Sequence, residues 1–428
     1  MPTITRLARI SNATDIDPNG KLISLAALGY PNWVLITWYR DVTYGNDEYG
    51  CTSLPSIFHV WLVDLMQLNG QTPPNVPHVN LLGQECVDHW AWGSIVMFVR
   101  QGRKYIALGG GKYTGASRII ARLVIVDVTD IQNPQVVKTL EDDADRGFSN
   151  DVLYCPDSDR FFTQTSDWAL RTGTWDEVIN ASTMKDLAVV KTYSGGVYTK
   201  LIDRKTALVG VKGSWDVLDM VNAQVVQTLA IDAWTVIRTS TGVFALIEDD
   251  NRNITAIEKY DPSTFELVDT FTLPSPIAPP NPPWGRGIFG VKDYIYILQE
   301  STFYIVDMAN KTVNSISLPS ALCSALSEVP YDGKLIVTEE GDSASQSNGW
   351  IALLEFDDYV YAKYDPTTRK ITIVDKAGNA IANHTVNIAQ IIRGVTSYVG
   401  QDVIGSRTSD SNGQIDISDL VGMLRIEP

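Results

Sequence analysis

The chain is poor in the residues from which most compact active sites are built. Its 428 residues include only four histidines and four cysteines. Cys51, Cys86, Cys155 and Cys323 are too sparse for a disulfide framework in a chain of this length, so each reads as a small buried residue, with one bridge, Cys51–Cys86, left open. A closed structural zinc site usually shows two tight ligand pairs, and Cys86-Val87-Asp88-His89 offers one, which Cys51 or His59 would have to complete. No apolar run approaches the roughly 18 residues of a membrane span. Clusters of Lys and Arg are also missing. With 34 basic against 50 acidic residues, a formal charge of −16 and a pI near 4.7, the chain offers phosphate groups no surface, which excludes nucleic-acid partners. Met1–Ile10 has neither an apolar core nor a small-residue cleavage site, so no conventional secretory leader is read there.

Aromatics are plentiful, with 11 Trp, 18 Tyr and 11 Phe, enough for a large core. Polar helical stretches are scarce. Short segments rich in Val, Ile, Thr and Tyr, bounded by Gly, Pro, Asn and Asp, dominate instead, so the reading is all-β. The clearest segment is Leu123–Thr139, LVIVDVTDIQNPQVVKT: an apolar strand ending in Asp, a polar turn and a returning strand. Weaker copies end at Asp64, Asp219, Asp261 and Asp307. They are spaced by roughly forty to sixty residues, with one interval of about ninety that has room for a further unit at Asp186–Val190. That period, built from short strands, is the spacing of one four-stranded propeller blade.

Leu123–Thr139 resembles the LVIVD repeat, a propeller-blade motif found mostly in bacterial and archaeal surface proteins. The resemblance implies an extracellular binding or adhesion propeller and brings no catalytic residues with it. Counting strands along the chain gives a seven-bladed β-propeller, with six or eight as neighbouring counts, over residues 1–356. The N-terminal strand Ile4–Ile10 is expected to close the ring by joining the last blade. Residues 357–428 change character, and a small β-sandwich domain is expected there. VDKAGNAIANHTVNI followed by SRTSDSNGQIDISDL resembles an Ig-like or carboxypeptidase-regulatory-like accessory sandwich of surface and phage proteins, which implies spacing, docking or oligomer contact.

Few motifs suggest chemistry. Gly109-Gly110-Gly111-Lys112-Tyr113 has Tyr113 where a phosphate-binding loop needs Ser or Thr, so it reads as a glycine-rich loop between strands. Acidic groups at Glu141-Asp142-Asp143-Asp145, at Glu248, Asp249 and Asp250, and at Glu339, Glu340 and Asp342 follow strands. They are the candidate metal ligands, and calcium is the ion they suit, although none has EF-hand spacing and a solvated turn is the plainer reading. Otherwise no cofactor is expected. Leu273–Trp284 holds six prolines and reads as a stiff connector between blades. Asn12, Asn180, Asn253, Asn310 and Asn383 begin glycosylation sequons, which matter only if the chain meets a glycosylation system.

The expected function is that of a non-enzymatic virion or cell-surface protein used in attachment, particle architecture or receptor binding. Its partners would be other structural proteins, copies of itself, or a surface receptor or glycan. One propeller face is the expected binding surface, where the loops Thr43–Ser53 and Gly341–Gly349 cluster. Tyr44, Tyr49, Trp90, Trp92, Trp168, Trp175 and Trp284 are candidate aromatic platforms, with burial in the core as the other reading for most of them. A virion protein, or one numbered from after a removed leader, would reconcile a surface role with the lack of a secretory segment. Two other readings stay open: a metal-dependent hydrolase or lactonase with a channel-centred site, and an intracellular scaffold propeller.

Overall fold

The computed structural model describes the strands given below and their short turns, with side chains chiefly in 96–142, 152–317 and 365–418. β1 (Thr3–Ala8) opens the chain. β2 (Lys21–Ala27), β3 (Trp33–Asp41), β4 (Ser56–Asp64) and β5 (His78–Asn80) form the first sheet, where β6 (Glu85–Cys86) also pairs with β4. β7 (Trp92–Arg100), β8 (Arg103–Tyr113), β9 (Ile119–Asp127) and β10 (Gln135–Glu141) follow as the second. The third has β11 (Val152–Cys155), β12 (Arg160–Gln164), β13 (Ala169–Thr174) and β14 (Ala188–Thr192), with helix α1 (Trp175–Asn180) before its last strand. The fourth contains β15 (Tyr198–Leu201), β16 (Thr206–Val211), β17 (Ser214–Asp219) and β18 (Gln224–Leu229). The fifth contains β19 (Ala233–Thr239), β20 (Gly242–Glu248), β21 (Ile254–Tyr260) and β22 (Leu267–Ile277). β23 (Ile288–Val291), β24 (Tyr294–Gln299), β25 (Thr302–Asp307) and β26 (Thr312–Ser317) make the sixth. In the next, β27 (Cys323–Tyr331), β28 (Lys334–Glu339) and β29 (Ile351–Glu355) take β1 as their fourth strand, with Ile4 opposite Leu354.

The remaining strands are β30 (Tyr361–Asp365), β31 (Lys370–Val374), β32 (Thr385–Arg393), β33 (Val399–Thr408), β34 (Gln414–Asp416) and β35 (Met423–Glu427). β30, β31 and β34 form a three-stranded sheet, while β32 pairs with both β33 and β35. Ile371, Ile373, Val386, Ile388, Ile415 and Ile417 close a small core between these two groups of strands.

The protein is all-β, built from propeller-like blade sheets: antiparallel, four-stranded and ordered as the chain runs. Their first strands lie side by side in several places, β7 by β11, β15 by β19, β19 by β23 and β27 by β2. The fourth strands face outward, as the exposed residues of β10 and β18 show.

Alternation along each strand sends successive side chains to opposite sheet faces, and here both faces are buried. Phe161 packs toward the second sheet with Phe98 and Tyr154, whereas its neighbour Phe162 packs toward the fourth with Ala207 and Val209. Leu208 points the other way, joining Val243 and Ala245 of the fifth sheet. Phe244 and Leu246 then meet Ile295 and Ile297 of the sixth. Leu123, Val124, Ile125 and Val126 are all fully buried, which is why this stretch reads as a continuous apolar run. Each such aromatic or aliphatic side chain contributes roughly 1.5–3 kcal/mol.

The recurring aspartate builds the turn after the third strand. Asp219 accepts backbone hydrogen bonds from Val221 (2.9 Å) and Asn222 (3.1 Å), and Asp261 accepts them from Ser263 (2.8 Å) and Thr264 (2.9 Å). Asp307 accepts from the Asn310 amide, and Asp365 from Thr367. Four residues after each of these aspartates the chain turns left-handed, at Ala223, Phe265, Lys311 and Arg369, with φ of 55°, 58°, 54° and 53°. The motif is therefore a strand ending followed by a side-chain-capped hairpin.

Three expectations need correction. Gly109–Tyr113 is not a loop. It belongs to β8, where Gly109, Gly110 and Gly111 pair with Leu123, Arg122 and Ala121. Asp186 does not end a third strand: its unit spends that connection on α1, begun by a Thr174–Glu177 capping box, and Asp186 closes the short 3-10 turn Met184–Asp186, accepting from Ser182 and Thr183. Leu273–Ile277 continues outer strand β22, where prolines at 274 and 276 are tolerated because an outer edge needs no ladder donor. The rest of the proline-rich stretch lies outside the described residues.

Asp219→Ala is expected to lower unfolding free energy by about 1 kcal/mol through loss of its turn hydrogen bonds. Ala223→Gly is expected to raise it by about 0.5 kcal/mol, because glycine adopts positive φ without strain. Urea denaturation checks both; no change in Asp219→Ala would remove the turn-capping role.

Candidate functional site

Glu248 ends β20 half-buried, and burial pushes its carboxyl up to about 7 against the lowering pull of Lys212 and Arg252. Asp249 follows. One of its oxygens accepts from the amides of Asn251 and Asn253, both at 2.8 Å, and the other from Asn253 Nδ2 at 3.0 Å, bonds that hold its carboxyl below the ordinary range. Asp250 is exposed. Asp249 thus closes the hairpin between β20 and β21, and its lone pairs are used within that turn. Among the described residues no three His, Cys, Asp or Glu side chains come together as a metal-binding group.

Asp142 has a different job. It is 1% exposed and accepts from the Ser166 amide (2.8 Å) and hydroxyl (2.6 Å), with Lys185 at 3.3 Å, so it ties the second sheet to the third. Tyr44, Tyr49, Trp90, Trp284, Glu340 and Asp342 lie outside the described residues, as do the side chains of Trp92, Glu339, Cys51, Cys86, His59 and His89. Of the two readings, Trp175 takes the core one, 8% exposed among Phe98, Tyr105 and Phe161.

The polar groups gather at hairpins joining the first and second strands of each sheet. Arg100 Nε donates to Asp159 Oδ2 at 2.8 Å and Tyr154 donates to Asp159 Oδ1 at 2.7 Å, while the Arg100 guanidinium lies 4.8 Å from the Trp175 ring centroid. At the next junction Arg204 and Lys205 pair with Asp157 at 3.2 and 3.5 Å. Between the fifth and sixth sheets, Asp293 accepts from Lys259 (2.6 Å) and Thr241 (3.1 Å). These are inter-sheet staples, and burial with the Asp159 hydrogen bond holds the Tyr154 phenol protonated. Sequence reading missed them because the partners on adjacent sheets are 34 to 59 residues apart and no local pattern marks them.

Among the described residues, the exposed large apolar side chains lie on outer strands. Val136, Val137, Val189, Val226, Leu267 and Val268 are 41–61% exposed, and they sit on β10, β14, β18 and β22, the fourth strands of consecutive sheets. The doublets Val136-Val137, Val225-Val226 and Leu267-Val268 are visible in sequence, but only the sheet order shows that they share the outside.

No protein-family model matches the chain, and no curated protein is similar to it in sequence. Among solved structures it is similar to the β-propeller domain of Cps50 (Swd1) from Myceliophteria thermophila, at 9% identity and TM-score 0.49, over 83% of this chain and all of that one. The architecture described above rests on the sheets themselves, not on this likeness. No helix among the described residues is long and apolar enough to cross a membrane.

Two outcomes follow. Asp159→Asn keeps the shape but removes the charge facing Arg100, and is expected to lower stability by about 1 kcal/mol in thermal or urea unfolding; a neutral result would remove the staple. Because Glu248 is raised in the folded state, its contribution is complete at acid pH and is lost as pH rises through about 7. Glu248→Gln is therefore expected to flatten the stability profile between about pH 4.5 and about pH 7, and parallel profiles for the two proteins would contradict it.

Proposed function

We propose that the chain is a non-enzymatic interaction protein: a seven-bladed β-propeller over 1–356, followed by a small β-sandwich over 357–428, that serves in virion or cell-surface architecture and attachment. The observation that carries this reading is the row of exposed apolar side chains on consecutive outer strands, from Val136 through Val268. Outer strands are a sheet's edge, and β-branched residues there favour contact with another protein. A net charge of −16 keeps such a rim soluble until a complementary partner is met. The partners are other structural proteins or further copies of the chain. The surface setting is supported by the resemblance of Leu123–Thr139 to LVIVD blades. The acidic groups serve turns and staples in this reading, and no cofactor takes part.

Cryo-EM of the protein isolated from its native source tests the proposal. Copies ordered on a particle, filament or envelope through the outer strands are expected. A free monomer with a metal ringed by carboxylates in the channel overturns it. In the ordered case, the double variant Val226→Lys, Val268→Lys is expected to weaken attachment by about tenfold or more with the thermal midpoint unchanged.

A further inference from the structure

The C-terminal strands make contacts that a simple appended domain would not. β32 joins the second sheet through the backbone pair Arg393 and Ile95, on the edge of β7. Its partner β33 lies beside β15 and β19, first strands of the fourth and fifth sheets. β30 and β35 lie beside β27, the first strand of the sheet that also holds β1. In a ring of blades, first strands from such separated sheets approach one another only around the central axis.

We infer that the C-terminal segment Tyr361–Glu427 is an intramolecular plug seated in the central channel. This inference rests on the ring arrangement proposed above. The physical reason is the inner edge. Each first strand pairs with one strand of its own blade, so the N–H and C=O groups along its axis-facing edge are satisfied by partners from outside that blade. β32 supplies some of them to β7 by extending the second sheet inward, in the order β10-β9-β8-β7-β32-β33. The segment can act as a body because it has its own core of six isoleucine and valine side chains. A channel filled in this way has no room for a substrate, so binding is confined to the rim and the faces.

Cysteine cross-linking in the full chain tests the plug. Antiparallel partners have Cα atoms about 4.5–5.5 Å apart, within disulfide reach. Ile95→Cys with Arg393→Cys probes the plug, and Ile4→Cys with Leu354→Cys probes ring closure; both are read by mass spectrometry of non-reduced peptides. Cross-links in both pairs are the expected result. A cross-link only in the ring pair overturns the plug and leaves the ring standing, while failure of both overturns the ring and the plug with it. Hydrogen exchange on the unsubstituted chain gives a second readout. Peptides covering 385–408 are expected to exchange as slowly as those of β15 and β19, and exchange at the rate of an unstructured peptide overturns the inference.

Discussion

The blade sheets whose side chains are described bury both faces, and that requirement governs the rest of the molecule. A sheet with one apolar face can be satisfied by a single neighbour. One that sends Phe161 to one side and Phe162 to the other needs two neighbours, and each of those needs another. Such a series can end in only two ways, by exposing a greasy face or by returning to its start. The chain returns: β27 lies beside β2, and β1 completes the sheet of β29. Strand alternation supplies the demand for closure, and the backbone pairing of β1 with β29 meets it.

The polar side chains follow from the same geometry. Sheets packed face to face leave their hairpins crowded together at one end, where charged residues of adjacent sheets meet at salt-bridge distance. Asp157 and Asp159, two residues apart in one turn, each reach a different neighbouring sheet, Asp157 to Arg204 and Asp159 to Arg100. Solvent-accessible pairs of this sort contribute modestly one by one. Their position adds directional contacts between sheets to the non-directional packing of the apolar core.

Much of the fold can be read from the chain because its repeat carries two signals at once. A run such as Leu123–Val126 states burial on both faces, and the aspartate that follows states where the strand stops and how it turns. Asp219, Asp261 and Asp307 share this grammar closely enough to be found by eye. The third sheet escapes it because its connection is a helix: Thr174-Trp175-Asp176-Glu177 is a capping box, and a six-residue helix is too short to show a periodic apolar stripe. The burial of Trp175 is hidden for the same reason. An aromatic residue beside acidic neighbours looks like a surface platform until the helix turns it inward. The glycines at 109–111 mislead in the opposite way, since a glycine run signals a loop unless the facing strand is known.

The candidate site was less legible, and the cause is sequence distance. Turn capping joins residues two to four apart, so composition and spacing reveal it. The outer rim is assembled from strands contributed by separate blades, and the contacts of β33 with β15 and β19 span about two hundred residues. Those relations exist only once the ring exists. An exposed valine doublet in one hairpin is an unremarkable surface feature, whereas exposed apolar residues recur on the fourth strands β10, β14, β18 and β22 of successive sheets. The exposed apolar row is therefore a property of the array of sheets, and no single blade contains it.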